Sequence, residues 1–161
     1  MVEDNFFPEI FFKDLEYFVL NSGNCPFFLQ RIVNGQQTDS THYYWTHLVM
    51  ANGKRISELF DNLIDQLTEQ LNPHAFVRIK INLYPSTHKI VEHAPHTDYS
   101  FPHKGIILGL NTCDGYTKLA DGTKVESSVR NRAFFFDPSL SHSSSTCTNQ
   151  QFRANININY V

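Results

Sequence analysis

With 161 residues, a mass of 18.6 kDa and 41% hydrophobic residues, the chain has the length and composition of one domain, able to bury roughly 70% of its unfolded surface without disulfide staples. Sixteen acidic against thirteen basic residues give a net charge of −3, which excludes the broad basic field that drives backbone-led nucleic-acid binding. Fourteen Phe favour a core of bulky rings, and whole-chain disorder is not expected.

The opening stretch MVEDNFFPEIFFKDLEYFVL is apolar in patches, but Glu3, Asp4, Pro8, Lys13, Asp14 and Glu16 interrupt it, which fits neither a signal peptide nor a membrane span. Cys25, Cys113 and Cys147 form no CxxC pair. Free thiols in a reducing compartment are therefore expected, and with them a soluble cytoplasmic protein. No repeat or linker divides the sequence. Its texture changes at Asn72-Pro73, so a single domain is expected in which residues 1–75 support a core formed by residues 76–161.

The aromatic cluster Tyr43-Tyr44-Trp45 reads as core or sheet surface, because no basic run interleaves it. From Ile56 to Leu71 the apolar residues Ile56, Leu59, Phe60, Leu63, Ile64, Leu67 and Leu71 recur at steps of three and four, with acidic residues opposite. This predicts an amphipathic helix ended by Pro73. Residues 76–84 then alternate, with Val77, Ile79, Ile81 and Leu83 on one face and Arg78, Lys80, Asn82 and Tyr84 on the other, which predicts a strand with one polar face. Further strands are expected at 105–111, 116–120, 123–127, 133–137 and 152–160, with Asp121-Gly122 turning a hairpin. Short strands without intervening helices argue for an antiparallel sandwich or jelly roll, with the helix packed outside.

His96-Thr97-Asp98 places an imidazole and a carboxylate two residues apart, on the same side of an extended strand, where both could grip one ion. Alone the triplet is weak, since an HxD arises readily by chance in a chain with eight His. Pro95 and the lack of an HExxH helix argue against a zincin site built on His93 and His96. His142, beyond the 133–137 strand, is the best-placed third ligand. Two imidazoles and a carboxylate make a facial triad that leaves half of an octahedral iron's positions open. Arg153, on one face of the last strand with Asn155, Asn157 and Asn159, could clamp a carboxylate bidentately. A dicarboxylate held by iron at one end and Arg153 at the other describes 2-oxoglutarate. His88, His93 and His103 are left without a role.

In this order the residues resemble the iron(II)/2-oxoglutarate-dependent oxygenases, in their small prolyl-4-hydroxylase-like branch. Asn82-Leu83-Tyr84 matches a family Asn-x-Tyr stretch that hydrogen-bonds the cosubstrate. The segment 111–117 resembles the family's Gly-rich segment, and 132–138 its aromatic strand before the distal His. The resemblance covers 76–161 and is similar to stand-alone members encoded by tailed phages, which would place the protein in a host cytoplasm. Two features depart from the pattern: His96 lies twelve residues after Tyr84, and Tyr116 stands where a second Gly is usual. The resemblance implies a double-stranded β-helix (a cupin-like jelly roll) with supporting α-helices, and Fe(II), 2-oxoglutarate and O2 as cofactor and cosubstrates. It also implies hydroxylation of a C–H bond of a peptide (prolyl) or small-molecule substrate, with release of succinate and CO2. His96, Asp98 and His142 would be metal ligands and catalytic centre, and Arg153, Tyr84 and Asn82 would bind the cosubstrate. A cupin-type metal protein that uses no 2-oxoglutarate and a non-enzymatic jelly-roll binding module are the alternative readings. Neither the substrate nor the oligomeric state has a signature in the sequence.

Overall fold

The computed structural model describes residues 1–33, 36–37 and 43–161. In chain order its elements are β1 (Val2–Asp4), α1 (Glu9–Leu20), β2 (Phe28–Gln30), β3 (Ile32–Val33), β4 (Gln36–Gln37), β5 (Tyr44–Ala51), β6 (Lys54–Arg55), α2 (Leu59–Leu71), β7 (Phe76–Pro85), β8 (Lys104–Gly109), β9 (Thr117–Leu119), β10 (Lys124–Val125), β11 (Arg132–Phe136), β12 (His142–Ser144) and β13 (Phe152–Tyr160).

Helix α1 starts at Pro8, whose fixed φ suits a helix start and whose carbonyl accepts the Phe12 N–H. It buries Phe12, Leu15 and Val19. Helix α2 begins three residues later than the periodicity predicts. The amides of Ile56 and Ser57 both donate to the Val49 carbonyl, and Ser57 Oγ joins His47 Nε2 while accepting from the Leu59 N–H. Tertiary bonds to β5 thus claim the first expected turn and leave Ile56 exposed. Asn72, left-handed at φ 42°, closes the helix by donating to the Thr68 carbonyl, and Pro73 follows.

Eight strands form the major sheet in the order β1-β11-β8-β13-β7-β5-β2, with β6 added to β5. A minor sheet runs β10-β9-β12. Its β9–β10 hairpin turns at Gly122, at φ 85°, where Asp121 Oδ1 accepts the Thr123 N–H. The major sheet is not confined to residues 76–161, because β1, β2, β5 and β6 come from the first part of the chain. Several strands are also shorter than their sequence patterns suggest: residues 110 and 111 lie beyond β8, and 126 and 127 beyond β10.

The two faces of the major sheet differ, as the alternation in β7 and β13 predicts. Ile79, Ile81, Ile106, Leu108, Ile156 and Ile158 share one core with Phe12, Leu63 and Leu67 of the helices, all fully buried. Each such side chain contributes roughly 1.5–3 kcal/mol by leaving water. The opposite face carries Arg78, Lys80, Asn82, Tyr84, Arg153, Asn155, Asn157 and Asn159 and turns toward the minor sheet, which Arg153 reaches by hydrogen bonds to Tyr116 O and Thr117 Oγ1. This is the two-layer, mainly β jelly roll of a double-stranded β-helix, with its apolar outer face covered by helices. Among the described residues no helix is long and apolar enough to cross a membrane.

Candidate metal centre and its cleft

The HxD segment and the distal His meet by backbone pairing. His96 and His142 stand directly opposite each other in an isolated antiparallel bridge, each amide donating 2.8 Å to the other's carbonyl. Their ring centroids lie 4.5 Å apart. Asp98 is fixed two residues on, its amide donating to the Pro138 carbonyl. The ligand atoms of His96, Asp98 and His142 all lie within 4.8 Å of one another, so the structure brings together all three expected ligands.

The chemistry of this donor set fits a divalent iron. Each imidazole has its Nδ1 near a backbone carbonyl two residues back, Ala94 for His96 at 3.4 Å and Leu140 for His142 at 2.9 Å. That contact favours the tautomer whose Nε2 carries the lone pair for a metal. Burial, reinforced by His142, pulls the His96 pKa down to about 4 against the opposing charge of Asp98, so its imidazole is neutral near pH 7. For Asp98, burial acts to raise the pKa, but Arg78, Asn159 and Asn157 outweigh it and hold the group well below the usual carboxylate range. Asn157 and Asn159 both donate to Oδ2, at 3.1 and 2.9 Å. Oδ1 lies 3.9 Å from His96 Nε2 and 2.7 Å from Arg78 Nη2, and it is the oxygen left for a metal.

A cleft of about 200 Å³ opens beside the triad, lined among others by Tyr44, Arg78, Lys80, Asn82, Tyr84, His96, Asp98 and Asn157. Tyr84 is sandwiched by Tyr44 and His93, with centroids 5.3 and 5.2 Å away. Burial pushes its phenol pKa up, while Arg153 opposes the rise. Asn82 donates to Asn155 Oδ1 and leaves its own Oδ1 without a hydrogen bond.

Arg153 is fully buried and does not line this cleft. Its guanidinium lies 5.5 Å from the Tyr84 ring. Nη1 donates to Tyr116 O and Ser145 O, and Nη2 to Thr117 Oγ1 and Ser127 Oγ. Nε is the one donor without a partner. Gly115 permits this placement, since a Cβ there would stand 2.7 Å from Arg153 Cδ.

The cations that face the cleft are Arg78 and Lys80 on β7. The sequence placed both on a polar strand face without marking them as functional. Tyr44, expected as core or sheet surface, walls the cleft, a position set by the pairing of β5 with β7. Lys80 makes no hydrogen bond or ion pair among the described residues, and its Nζ stands over the Tyr44 ring at 5.6 Å. Its side chain keeps an opening to the cleft, but burial first, and Arg78 second, pull its pKa down to about 8, against Asp98.

This has a measurable consequence for metal-free protein. Between pH 8 and about 10.4 the unfolded lysine still binds a proton that the folded one has released, so Lys80 makes stability rise with pH across that window. Lys80→Met should be more stable than wild type at pH 7.5, with the gap closing by pH 10. Urea melts at the two pH values check this, and a gap that does not change would contradict a strained ammonium.

The sequence matches no protein-family profile and no curated protein. Its fold is shared with solved oxygenases. A prolyl-4-hydroxylase from Pseudomonas putida superposes with a TM-score of 0.63 at 16% identity, covering 99% of this chain and 91% of that one. The viral collagen prolyl hydroxylase of Paramecium Bursaria Chlorella virus-1, solved as its 2OG complex, gives 0.61 at 14% identity, covering 100% and 95%. A 2OG-Fe(II) oxygenase family protein from Burkholderia pseudomallei gives 0.67 at 11% identity, covering 98% and 81%. The fold is therefore that of the 2OG-Fe(II) oxygenases, a group that includes prolyl-4-hydroxylases and a viral member.

Proposed function

We propose that the chain is an Fe(II)- and 2-oxoglutarate-dependent dioxygenase that hydroxylates a C–H bond of a peptide (prolyl) or small-molecule substrate, releasing succinate and CO2. The observation that carries this reading is the His96–Asp98–His142 set: two imidazoles and one carboxylate converge beside a polar cleft, within a fold shared with enzymes of that chemistry. His96 and Asp98, with His142, would hold Fe(II), which when bound supplies the activation of O2 coupled to oxidative decarboxylation of 2-oxoglutarate.

The chain's own residues supply position. Asn157 and Asn159 hold Oδ2 of Asp98, so Oδ1, which also meets Arg78 Nη2, is the oxygen that would face the metal. Tyr84, stacked between Tyr44 and His93, sets the cleft wall against which a cosubstrate chain would lie, and Asn82 Oδ1 offers an unused acceptor. The walls of the cleft shield the centre from bulk water and fix the angle of approach of the substrate C–H bond. The prolyl-hydroxylase neighbours favour a peptide ring as the oxidised group, by analogy of fold.

The test is anaerobic addition of Fe(II) and 2-oxoglutarate to the purified protein. A weak visible charge-transfer band from chelated 2-oxoglutarate is expected, absent without either component and absent in His96→Ala. Iron bound without the band would point to a metal protein that uses no 2-oxoglutarate. No iron bound at all would reject the triad.

A further inference from the structure

The cleft holds more positive charge than its own acids neutralise. Arg78 Nη2 pairs with Asp98 Oδ1 at 2.7 Å, while Arg78 Nε is buried without an acceptor. Lys80 has no anionic partner among the described residues, and the Tyr44 ring is its one cation–π contact. Both side chains leave β7 on the face that looks at the triad, two residues apart, and both line the same cleft. A largely buried ammonium with no direct ion pair costs stability. A ligand anion at this place would remove that cost and offer the buried Arg78 Nε a charge-assisted hydrogen bond. The other cation expected to do this work, Arg153, already spends all four Nη hydrogens on protein groups.

We propose that Lys80, assisted by Arg78, is the anion receptor of the cleft and takes a carboxylate of the acid that binds beside the triad. The assignment rests on the proposed dioxygenase reading only for the identity of that acid. A carboxylate here has two possible sources, the cosubstrate 2-oxoglutarate and an acidic group on the substrate. Either way the site selects a small organic acid or an acidic residue of a peptide, and it disfavours a cationic ligand.

The experiment compares the wild-type chain with Lys80→Met, which keeps the length of the side chain and removes its charge. Folding is controlled by thermal melts, where the variant should melt no lower than wild type. Two probes are used: 2-oxoglutarate with Fe(II), anaerobically, read by the visible band, and trifluoroacetate with metal-free protein, read by fluorine NMR line broadening. Loss of one charge-assisted hydrogen bond should weaken binding roughly 10- to 100-fold. Weakening of both probes assigns the receptor to the cosubstrate's carboxylate. Weakening of trifluoroacetate alone, with 2-oxoglutarate unchanged, assigns it to the substrate's acid. Trifluoroacetate binding that depends on Lys80 in a wild-type protein showing no 2-oxoglutarate band would keep the receptor and reject the dioxygenase reading. A folded Lys80→Met protein that binds both probes as wild type does overturns the proposal, as does a wild type that binds neither.

Discussion

His142→Ala is expected to lose Fe(II) affinity by well over 100-fold while remaining folded. The roughly 10- to 100-fold cost of losing a supporting contact around a metal is a lower bound, since here a ligand itself is removed. The His142 ring is buried against Phe136 at 4.9 Å and against His96 at 4.5 Å, so its removal leaves a small void. The strand pairing survives, because the bridge to His96 is made by backbone groups. Metal analysis after equilibration with Fe(II) and gel filtration, together with a thermal melt, separates the two effects. Near-normal iron content would remove His142 from the ligand set.

The second large effect falls on stability. Arg153→Ala is expected to lose about 3–5 kcal/mol, which at this chain length lowers Tm by roughly 10 °C. Arg153 leaves the major sheet and donates to Tyr116 O and Thr117 Oγ1 at the minor sheet and to Ser145 O and Ser127 Oγ beside it. Thr117 and Ser127 already hydrogen-bond each other at 2.8 Å, so the two hydroxyls partly repair themselves. The two carbonyls cannot: that of Ser145 is left buried without its donor, and that of Tyr116 part-buried. A loss of this size is a large share of the 5–15 kcal/mol that holds a typical domain together. A melt within two or three degrees of wild type, roughly 1 kcal/mol, would show that the fork is not the tie between the sheets.

These two residues also show how far the sequence could be read. The period-two patterns of β7 and β13 gave the right faces, because alternation across a pleat is local geometry. The order of HxD and distal His predicts three candidate ligands, and the fold brings their ligand atoms within 4.8 Å of one another. What Arg153 does with its donors was not legible. Periodicity assigns a face, whereas the partners on Tyr116, Thr117, Ser127 and Ser145 depend on how loops from elsewhere pack over that face. Lys80 and Arg78 were placed correctly and given no role for the same reason. The first part of the chain is the least legible in the sequence. Helix α1 is hidden by Phe residues that blur a 3.6-residue stripe, and β5 acquires its meaning only from its pairing with β7, a long-range contact. The late start of α2 has a similar cause, since His47 and Val49 bond Ser57 and Ile56 across a turn that no propensity describes.

Strand β13 lies between β7 and β8, and its two asparagines, 157 and 159, hold Asp98. Asn155 on this strand meets Asn82 on β7 across a separation of 73 residues. Such distant pairing closes slowly. A chain folded only as far as β12 would own all three ligand residues but lack the clasp that aims one of them. A metal held by these residues would therefore reach its full ligand geometry only once the centre of the sheet is complete.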